Sequence, residues 1–294
     1  MAATTLKALV LGGQNGMLGQ ALVRALKQKG WEVETVSGKD VDYFSSSLHD
    51  DLARYLDRFE PSALFNAVAY TNVELAEEQE EEAMVLNRGV PATLGRLAKT
   101  RPCKLIHYST DFVFDGRKKS PYSIDDPTSP LSVYGRSKLE GEQALQELDL
   151  PDCAIIRTAW LFGQGKMNFV RKIMDICRER GEASVVFDQI GSPTYAQDLA
   201  VHSLELVEMD GRGLFHIANS GQASWCELAD EAAGYLQLEC RVNPVASADF
   251  KTKAVRPAYS VLDLSSFTQL TGAMPRTWPQ ALREYLMLEF PDGI

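Results

Sequence analysis

The sequence predicts an α/β protein with a doubly wound parallel sheet, a Rossmann-like fold. Two observations predict it: apolar segments of strand length alternate with helical patterns throughout the first half, and a glycine-rich turn follows the first apolar segment. Strands that alternate with helices of ten or more residues form right-handed βαβ units and a parallel sheet. In such sheets ligands bind beyond the carboxyl ends of the strands, so the residues that follow each strand are the candidates for a site.

The first strand, 6–13, leads directly into the glycine-rich turn. Gly13, Gly16 and Gly19 recur at intervals of three before a helical pattern that Gly30 closes. Glycines at this position allow a tight turn and bring a pyrophosphate close to the backbone amides at the helix N-terminus. The spacing is G-x-x-G-x-x-G rather than the G-x-G-x-x-G of many dinucleotide dehydrogenases, so an ordinary strand-to-helix turn remains the alternative.

The later elements continue the alternation. Further strands are predicted at 31–37, 63–70, 104–110 and 153–162, and helices at 51–61, 74–99 and 134–148. The second half is expected to contain a helix at 167–181, a strand, Gly-Pro turn and helix within 185–200, a strand at 213–219, and helices at 225–237 and 278–290. We expect a dinucleotide-binding domain over residues 1–162, to which roughly 185–220 return. Residues 163–294 are then mainly an interleaved, smaller substrate domain.

Tyr134 and Lys138 are a candidate acid–base pair. They are four residues apart in a predicted helix, so both project from one face. Two charges about 4 Å apart at an effective dielectric of roughly 20 interact by about 4 kcal/mol, which would lower the tyrosine pKa by about three units. Such a tyrosine exchanges a proton near neutrality. A Y-x-x-x-K match also arises by chance on solvated helices, and the glycine-rich turn is what favours chemistry here.

Composition narrows the partner to a small molecule. The chain has 294 residues, a net charge of −10 and a pI near 5.0, without the basic stripe that nucleic-acid binding requires. No apolar run approaches the roughly 18 residues of a membrane span, and MAATT leads into the first strand without a basic segment or cleavage site. We therefore expect no nucleic-acid or membrane partner and a cytoplasmic location.

Cysteines, histidines and acidic residues give no sign of a metal site or of disulfides. The five cysteines (103, 153, 177, 226 and 240) are widely spaced, and we expect reduced thiols. The four histidines (49, 107, 202 and 216) show no helical pairing, so no metal is expected. The densest charge run, EEQEEEAM (77–84), is most simply a solvated helix face.

A family resemblance rests on motifs that occur, in order, over most of the chain. They are GGQNGMLG (12–19), NAVAYTNVELAE (66–77), HYSTDFVFDG (107–116), SPLSVYGRSKLEGE (129–142), RTAWLFG (157–163), NF (168–169), DQIGSPTYAQDLA (188–200) and RPAYSVLD (256–263). With these the chain resembles the extended short-chain dehydrogenase/reductases. More narrowly, it is similar to the reductase group of that family that acts on dTDP-4-dehydrorhamnose, of which the S-T-D-x-V-F-D-G and R-T-x-W blocks are typical.

The resemblance implies an NADPH-dependent oxidoreductase that reduces the 4-keto group of a dTDP-linked 6-deoxyhexulose, converting dTDP-4-dehydrorhamnose to dTDP-L-rhamnose. It implies that Thr110, Tyr134 and Lys138 are catalytic. Tyr134 would supply the proton, Lys138 would lower the tyrosine pKa and bind the nicotinamide ribose, and Thr110 would orient the keto group. From its position alone, Thr110 is equally well a β-branched residue at the end of a buried strand.

The resemblance also implies two sets of binding residues. The cofactor-binding set is Gly13, Asn15, Gly16, Met17, Leu18, Ser37, Lys39, Asp42, Tyr43, Ala67, Ala69, Tyr70, Asn87, Tyr134 and Lys138. The substrate-binding set is Thr71, Asp111, Phe112, Trp160, Asn168, Gln189 and Arg256. Trp160 is expected to stack on the sugar and Arg256 to bind the diphosphate, with core packing and a surface arginine as the respective alternatives.

Cofactor choice depends on the end of the second strand. Ser37, Gly38 and Lys39 tolerate a 2′-phosphate better than a carboxylate would, which favours NADPH. Asp40 could still turn inward, and NADH therefore stays open. Some family members bind magnesium through surface acids, but Ala21 and Gln197 stand near those positions here, so neither a metal nor a metal-associated homodimer is supported.

Three other functions share this fold or these motifs. A sugar 4,6-dehydratase usually carries Asp-Glu after the threonine, whereas Phe112 follows Asp111 here and cannot move protons. An epimerase or related 4-ketoreductase is harder to exclude, since product stereochemistry depends only on which face of the keto group meets the hydride. A non-catalytic NADP-binding regulatory protein, like the regulatory subunit of methionine adenosyltransferase, could keep both the glycines and the tyrosine–lysine pair.

Overall fold

The computed structural model describes residues 5–291. The prediction about MAATT, the segment before the first strand, therefore falls mostly outside the described residues, because residues 1–4 are not among them. The strands are β1 Lys7–Leu11, β2 Glu32–Val36, β3 Ala63–Asn66, β4 Lys104–Thr110, β5 Cys153–Thr158, β6 Leu161–Phe162, β7 Glu182–Val186, β8 Ile190–Gly191, β9 Thr194–Tyr195, β10 Gly213–His216, β11 Ala223–Ser224 and β12 Arg241–Val245. The α-helices are α1 Met17–Gln28, α2 Leu48–Phe59, α3 Val73–Ala76, α4 Glu80–Met84, α5 Val90–Ala98, α6 Val133–Gln146, α7 Phe169–Arg180, α8 Ala196–Glu208, α9 Trp225–Tyr235, α10 Ser265–Thr271 and α11 Trp278–Glu289.

A six-stranded parallel sheet in the order β10-β5-β4-β3-β1-β2 forms the centre of the molecule. The chain moves outward from β1 to β2 and then returns past β1 to β3, so the strand order reverses between β1 and β3. A ligand crevice opens at such a switch point, beyond the carboxyl ends of the strands. The predicted doubly wound parallel sheet is confirmed.

Strand β1 illustrates why helices cover both faces of the sheet. Its side chains alternate, with Ala8 and Val10 in one buried cluster and Leu9 and Leu11 in another. The first cluster includes α1 and α8, and the second includes α2, α5 and part of α6. Because both faces are apolar, the strands read as continuous hydrophobic runs, as is typical of buried parallel sheets.

A second unit forms around its own core. Helices α7, α9 and α11 enclose a third buried cluster, and β7 pairs with β12 at its side. Residues 185–220 were expected to return to the dinucleotide-binding domain. Within or next to this range, α8 and β10 pack in the first unit, whereas β7 at 182–186 belongs to the second. Phe267 of α10 also returns to the first core. The expected division near residue 162 remains a prediction.

The long helix predicted over 74–99 is interrupted. Helices α3 and α4 are separated by residues 77–79, and a π-helical turn at 85–89 joins α4 to α5. The wider turn brings Asn87 into the interior, where it is fully buried. Apolar periodicity could not reveal the interruption, because a π-turn changes the hydrogen-bond pattern without breaking the helical direction.

The expectation of five reduced thiols is wrong for two of them. Cys177 on α7 and Cys240, just before β12, form a disulfide, while the other three cysteines are free. The two partners are 63 residues apart, so their sequence spacing carried no signal. None of the described helices is long and apolar enough to cross a membrane.

Candidate active site

The glycine-rich turn fits a dinucleotide phosphate. Gly12 has a positive φ of 80°, and a Cβ at Gly19 would lie 2.2 Å from the Gly12 carbonyl oxygen, so the turn can be this tight only with glycine. Gly16 caps α1 without a side chain, which leaves the first amides of the helix open to an anion. Asn15 is exposed beside them, whereas the Leu18 side chain packs in the core and can contribute only its backbone.

Asp40 lies just after β2 and is exposed, and its carboxylate bonds back to the end of that strand. Its Oδ2 accepts hydrogen bonds from the Ser37 amide and hydroxyl, both at 2.8 Å, and from Gln14 Nε2 at 3.0 Å. The Ser37 hydroxyl is the main cause of a lowered pKa for Asp40, which stays ionised. Lys39 is exposed next to it. An acid and a cation therefore meet where a cofactor ribose is expected.

Asn87 holds the loop after β3 rather than facing the crevice. Its Oδ1 accepts from the Tyr70 amide at 2.9 Å, and its Nδ2 donates to the Tyr70 carbonyl and to the Ser137 hydroxyl of α6. Its side chain is fully buried. The side chain thus ties the loop at 67–70 to α6, and its contact with the cofactor stays a prediction.

Asp42, Tyr43, Ala67, Ala69 and Met17 stay predicted cofactor contacts. Asp42 makes a local turn by accepting from the Phe44 amide at 2.9 Å. The Tyr43 ring packs against the core, and its hydroxyl has no partner among the described residues. Ala67 and Ala69 follow β3 at the switch point, partly exposed.

The three predicted catalytic residues meet at the carboxyl end of β4. Thr110 ends β4 and is buried, while Tyr134 and Lys138 lie in α6, which packs beside that strand. The Ser132 hydroxyl caps α6 by accepting from the Gly135 amide at 3.1 Å. The tyrosine ring is half-buried, and Phe112 packs against it edge to face at 5.5 Å.

The pKa of Tyr134 shows no lowering by Lys138, and that effect stays a prediction. Burial raises the pKa of Tyr134 to about 12, and the negative charge of Asp111 adds to this rise. Lys138 Nζ instead donates to the Tyr108 carbonyl oxygen at 2.5 Å. Burial lowers the pKa of Lys138 to about 8, and Glu142 opposes that fall. Spacing along a helix placed both groups on one face, but it could not show where the ammonium would donate.

Asp111 is enclosed rather than open to a substrate. It is buried, and its two oxygens accept from the Thr110 hydroxyl at 3.1 Å and from the Ser260 hydroxyl at 2.6 Å. Burial raises its pKa to about 6 against the effect of these hydrogen bonds. The carboxylate links β4 to the RPAYSVLD segment, and its contact with the substrate stays a prediction.

Trp160 follows β5 with a positive φ of 48° and stacks on Trp225. The ring centroids are 3.5 Å apart and the planes differ by 4°. A Cβ on Gly191 would approach the Trp160 ring to 2.4 Å, so this glycine is needed for the ring to fit. The face that packs on Trp225 cannot also stack on a sugar, and only the remainder of the ring is open to the predicted role.

Asn168 has a structural role at the start of α7, and its contact with the substrate stays a prediction. Its Oδ1 caps α7 by accepting from the Arg171 amide at 3.1 Å, and its Nδ2 donates to the Gly163 carbonyl and the Tyr285 hydroxyl. The side chain is buried and its hydrogen-bonding groups are occupied. An N-cap residue before an amphipathic helix is the simpler interpretation of the N-F pair.

A cavity of about 640 Å³ lies in the second unit and contains two predicted substrate residues, Gln189 and Arg256. Residues that the sequence reasoning did not single out also line it, namely Phe169, Lys172, Arg180, Trp225 and Phe250. The cavity thus combines aromatic surfaces with three cations, which suits a nucleotide carrying a diphosphate. These residues lie on α7, α9 and the 247–256 segment, and only tertiary structure brings them together.

Acidic residues that precede α6 in the chain form contacts with the 253–256 segment and with α6, the helix that carries Tyr134. Arg256 pairs with Glu74 at 2.6 Å, and the Lys253 amide donates to the same carboxylate at 2.7 Å. Burial acts to raise the pKa of Glu74, but these two partners outweigh it, and the pKa is lowered. Glu77 accepts from the amide of Val133, the first residue of α6, at 2.8 Å.

The acidic run continues these contacts. Glu78 pairs with Lys253, and Glu80 pairs with Arg136 of α6 at 2.6 Å. Glu78 and Glu80 are exposed, as predicted for a solvated face, whereas Glu77 is partly buried against α6. Thr71, at the start of this region, is exposed toward solvent and remains a predicted substrate contact.

No group of three or more metal-ligating side chains lies together within residues 5–291. Near the positions considered for a metal, Ala21 is buried in the core and Gln197 accepts from Arg24 Nε at 3.2 Å.

Comparisons with known proteins agree with this arrangement. The family model described as "RmlD substrate binding domain" matches residues 7–289. A spore coat polysaccharide biosynthesis protein, SpsK, of Bacillus subtilis is 37% identical, with 95% of this chain and 96% of that protein covered. A dTDP-4-dehydrorhamnose reductase of Aggregatibacter actinomycetemcomitans is also 37% identical, over 94% of this chain and 97% of that protein.

A solved structure is similar over nearly the whole chain. It is the dTDP-4-dehydrorhamnose reductase of Bacillus anthracis in complex with NADP, with a TM-score of 0.92 and 30% identity, covering 97% of this chain and 100% of that one. Together with the sheet and the glycine-rich turn, this confirms the predicted fold and NADP(H)-dependent oxidoreductase class. The chain therefore belongs to the RmlD family of dTDP-4-dehydrorhamnose reductases.

Proposed function

We propose that this protein reduces the 4-keto group of dTDP-4-dehydrorhamnose, yielding dTDP-L-rhamnose. The observation that carries the proposal is the meeting of Thr110, Tyr134 and Lys138 at the carboxyl end of β4, one strand from the switch point. When bound, NADPH supplies a hydride to the keto carbon. The protein must then supply a proton to the keto oxygen and hold both ligands in position.

Tyr134 is the proton donor in this proposal. Its raised pKa keeps the phenol protonated throughout the physiological range, and an alkoxide that forms on the sugar is a much stronger base than a phenolate. The proton passes from the phenol oxygen to the sugar oxygen, and the phenolate recovers a proton from solvent. Lys138, a cation below a pH of about 8, stabilises the transient negative charge.

The cofactor is held by the glycine-rich turn, the end of β2 and the loop after β3. Asp40 suits the hydroxyls of an NADH ribose, and Lys39 suits the 2′-phosphate of NADPH. We propose that NADPH is preferred and NADH accepted. Replacing Asp40 by Asn should raise the preference for NADPH over NADH by about tenfold, by removing repulsion of the phosphate. A preference that stays the same would contradict this role for Asp40.

The dTDP portion occupies the 640 Å³ cavity in this proposal. Arg256, Lys172, Phe169 and Phe250 line the same cavity, so it offers cations for a diphosphate and aromatic surfaces for a flat base. Gln189, which accepts from Trp225 Nε1 at 3.2 Å, would fix the orientation of the base.

The direct test supplies dTDP-4-dehydrorhamnose with NADPH or NADH, follows absorbance of the reduced cofactor and identifies the sugar by NMR. Stoichiometric loss of NADPH with formation of dTDP-L-rhamnose supports the proposal. A product with the opposite configuration at C4 would assign the chain to a related 4-ketoreductase. Conversion of a sugar without net loss of NADPH would indicate an epimerase.

A non-catalytic NADP-binding subunit is the second candidate. It predicts cofactor binding without turnover and co-purification with a synthetase. Thr110 hydrogen-bonded to a buried carboxylate argues for chemistry at this place, because a regulatory subunit has no need for a buried acid beside the tyrosine.

We also propose a cytoplasmic location and leave the homodimer as a prediction. Cytosolic thiols are normally reduced, so the Cys177–Cys240 disulfide makes the location testable. Trapping free thiols in freshly lysed cells should label all five cysteines if the protein stays reduced, and three if the disulfide forms. Sedimentation of the purified protein tests the homodimer.

A further inference from the structure

Ser260 lies 149 residues from Asp111 in sequence but contacts it in the interior. Its hydroxyl donates to Asp111 Oδ2 at 2.6 Å, and only 1% of the residue is exposed. The Ser260 amide donates to the Ile190 carbonyl at 2.8 Å, which fixes the backbone at this point. The segment that carries Arg256 toward the substrate cavity therefore also reaches the catalytic group.

The hydrogen bonds around Thr110 determine where its hydroxyl proton points. A hydroxyl has one proton and two lone pairs. The Thr110 proton goes to Asp111 Oδ1 at 3.1 Å, and one lone pair accepts from the Phe112 amide at 3.2 Å. While Asp111 is ionised, Thr110 can therefore only accept from Tyr134 and cannot donate to it.

We propose that Ser260 is a positioning residue for the reduction: by holding Asp111 as a carboxylate it keeps the Thr110 proton turned away from Tyr134, which then retains its own proton for the substrate. A protonated Asp111 would free the Thr110 proton to turn toward the tyrosine oxygen and favour the phenolate, which cannot act as an acid. This inference rests on the proposed function, because it assigns Tyr134 the role of proton donor.

Near pH 6, Asp111 is the neighbouring group whose pKa lies close to the assay pH, whereas Lys138 titrates near pH 8 in the wild type. Titratable groups on the neighbouring elements include His107 and Tyr108 in β4, Tyr134, Lys138 and Glu142 in α6, Arg157 in β5, and Tyr259, His216 and Asp263 in or near the RPAYSVLD segment. Arg157 and Glu142 neutralise each other in a buried pair. Burial lowers the pKa of both His107 and His216, so they are neutral near pH 6.

The sign of the pH effect follows from this arrangement. Burial raises the pKa of Asp111 to about 6, and the Ser260 hydroxyl is the strongest influence that lowers it again. Activity that needs ionised Asp111 rises with pH through about 6. Without the Ser260 hydroxyl the carboxylate loses a hydrogen bond, and the acid limb should move upward by about one to two pH units.

The experiment compares kcat/KM for the sugar nucleotide between pH 5 and 9 in the wild type and in Ser260→Ala. The ratio of variant to wild type should fall about three- to twenty-five-fold at pH 6.5 and return near one at pH 9. Ser266→Ala is the matched control, because the buried Ser266 hydroxyl of α10 has no partner in the described chain. That variant should leave the profile unchanged.

A loss of activity in Ser260→Ala that is the same at every pH would overturn the proposal, since a purely structural residue affects all protonation states alike. Asp111→Asn should abolish the acid limb and lower activity throughout, because an amide cannot ionise. A limb that persists in Asp111→Asn would also contradict the assignment.

A measurement without turnover separates this inference from the proposed function. Infrared difference spectra between the wild type and the Asp111→Asn variant should reveal one buried carboxyl that titrates near pH 6. If no sugar substrate is reduced but this carboxyl titrates and shifts upward in Ser260→Ala, the proposed function fails while the Asp111–Ser260 coupling stands. Absence of such a carboxyl in the folded wild type would overturn the coupling, even if Ser260→Ala does not fold.

Discussion

The two ends of the substrate site are built differently. At the reacting end, Thr110, Asp111 and Lys138 are almost completely buried and each donates or accepts at short distance within the protein. At the anchoring end, Arg256 and Lys253 pair with acids that are roughly half exposed. Charges interact strongly where water is excluded and weakly where it is present. The reacting end is thus suited to fix protonation states, and the anchoring end to exchange partners with a ligand.

The largest effect should come from the reacting end. Replacing Tyr134 by Phe removes the proton donor but leaves the ring and its edge-to-face contact with Phe112. We expect turnover to fall by about two to four orders of magnitude while NADPH binding stays almost intact. Single-turnover rates and cofactor fluorescence titration measure the two quantities. Unchanged turnover would remove Tyr134 from the mechanism.

A second prediction concerns the stability of the same end. Arg157 and Glu142 form a two-pronged buried ion pair, with distances of 2.7 and 2.9 Å and side-chain exposures of 4% and 1%. Glu142→Gln leaves a buried charge unpaired and should lower the free energy of unfolding by about 3–5 kcal/mol. Chemical denaturation measures this.

A matched control for that variant lies on the same helix. Glu140 pairs with Arg88 at 3.5 Å near the surface, and Glu140→Gln should cost less than about 1 kcal/mol. Equal losses in the two variants would show that burial does not distinguish the pairs and would weaken the comparison between the two ends.

The third prediction moves to the anchoring end. Arg256→Lys keeps a positive charge but loses the paired donors that a diphosphate and Glu74 both require. We expect KM for the dTDP-sugar to rise about ten- to a hundredfold, with kcat within about twofold. Arg283→Lys, whose arginine pairs with Glu231 on the far helices α11 and α9, is the control and should change neither constant. A fall in kcat with KM unchanged would place Arg256 at the reacting end instead.

Sequence reasoning succeeded where local patterns determine structure. The glycine-rich turn and the alternation of apolar segments are local, and they predicted the sheet and the crevice, whereas the grouping of Tyr134 with Thr110 was expected from the family resemblance. It failed where a side chain had several potential partners. Nothing in the spacing shows that Lys138 donates to the Tyr108 carbonyl, that Asn168 caps a helix, or that Trp160 stacks on Trp225.

The acidic region shows a further contact that spacing did not predict. Helical spacing and high charge favour a solvated face, and Glu78 is indeed exposed, but Glu78 and nearby Glu74 meet the 253–256 segment from 170 or more positions away. Complementary charge between distant segments has no signature in a single sequence, because any surface lysine could be the partner.

The smallest effect should come from this exposed contact. The Lys253–Glu78 pair has side-chain exposures of 64% and 50%, so water and salt screen it. Lys253→Gln should raise KM for the dTDP-sugar by no more than about threefold at low ionic strength, corresponding to less than about 1 kcal/mol. The difference should vanish near 1 M salt, whereas the KM defect of Arg256→Lys should persist, because its guanidinium is only 24% exposed. If high salt removed both defects equally, the arginine would act as another screened surface charge, and the anchoring of the diphosphate would need a different residue.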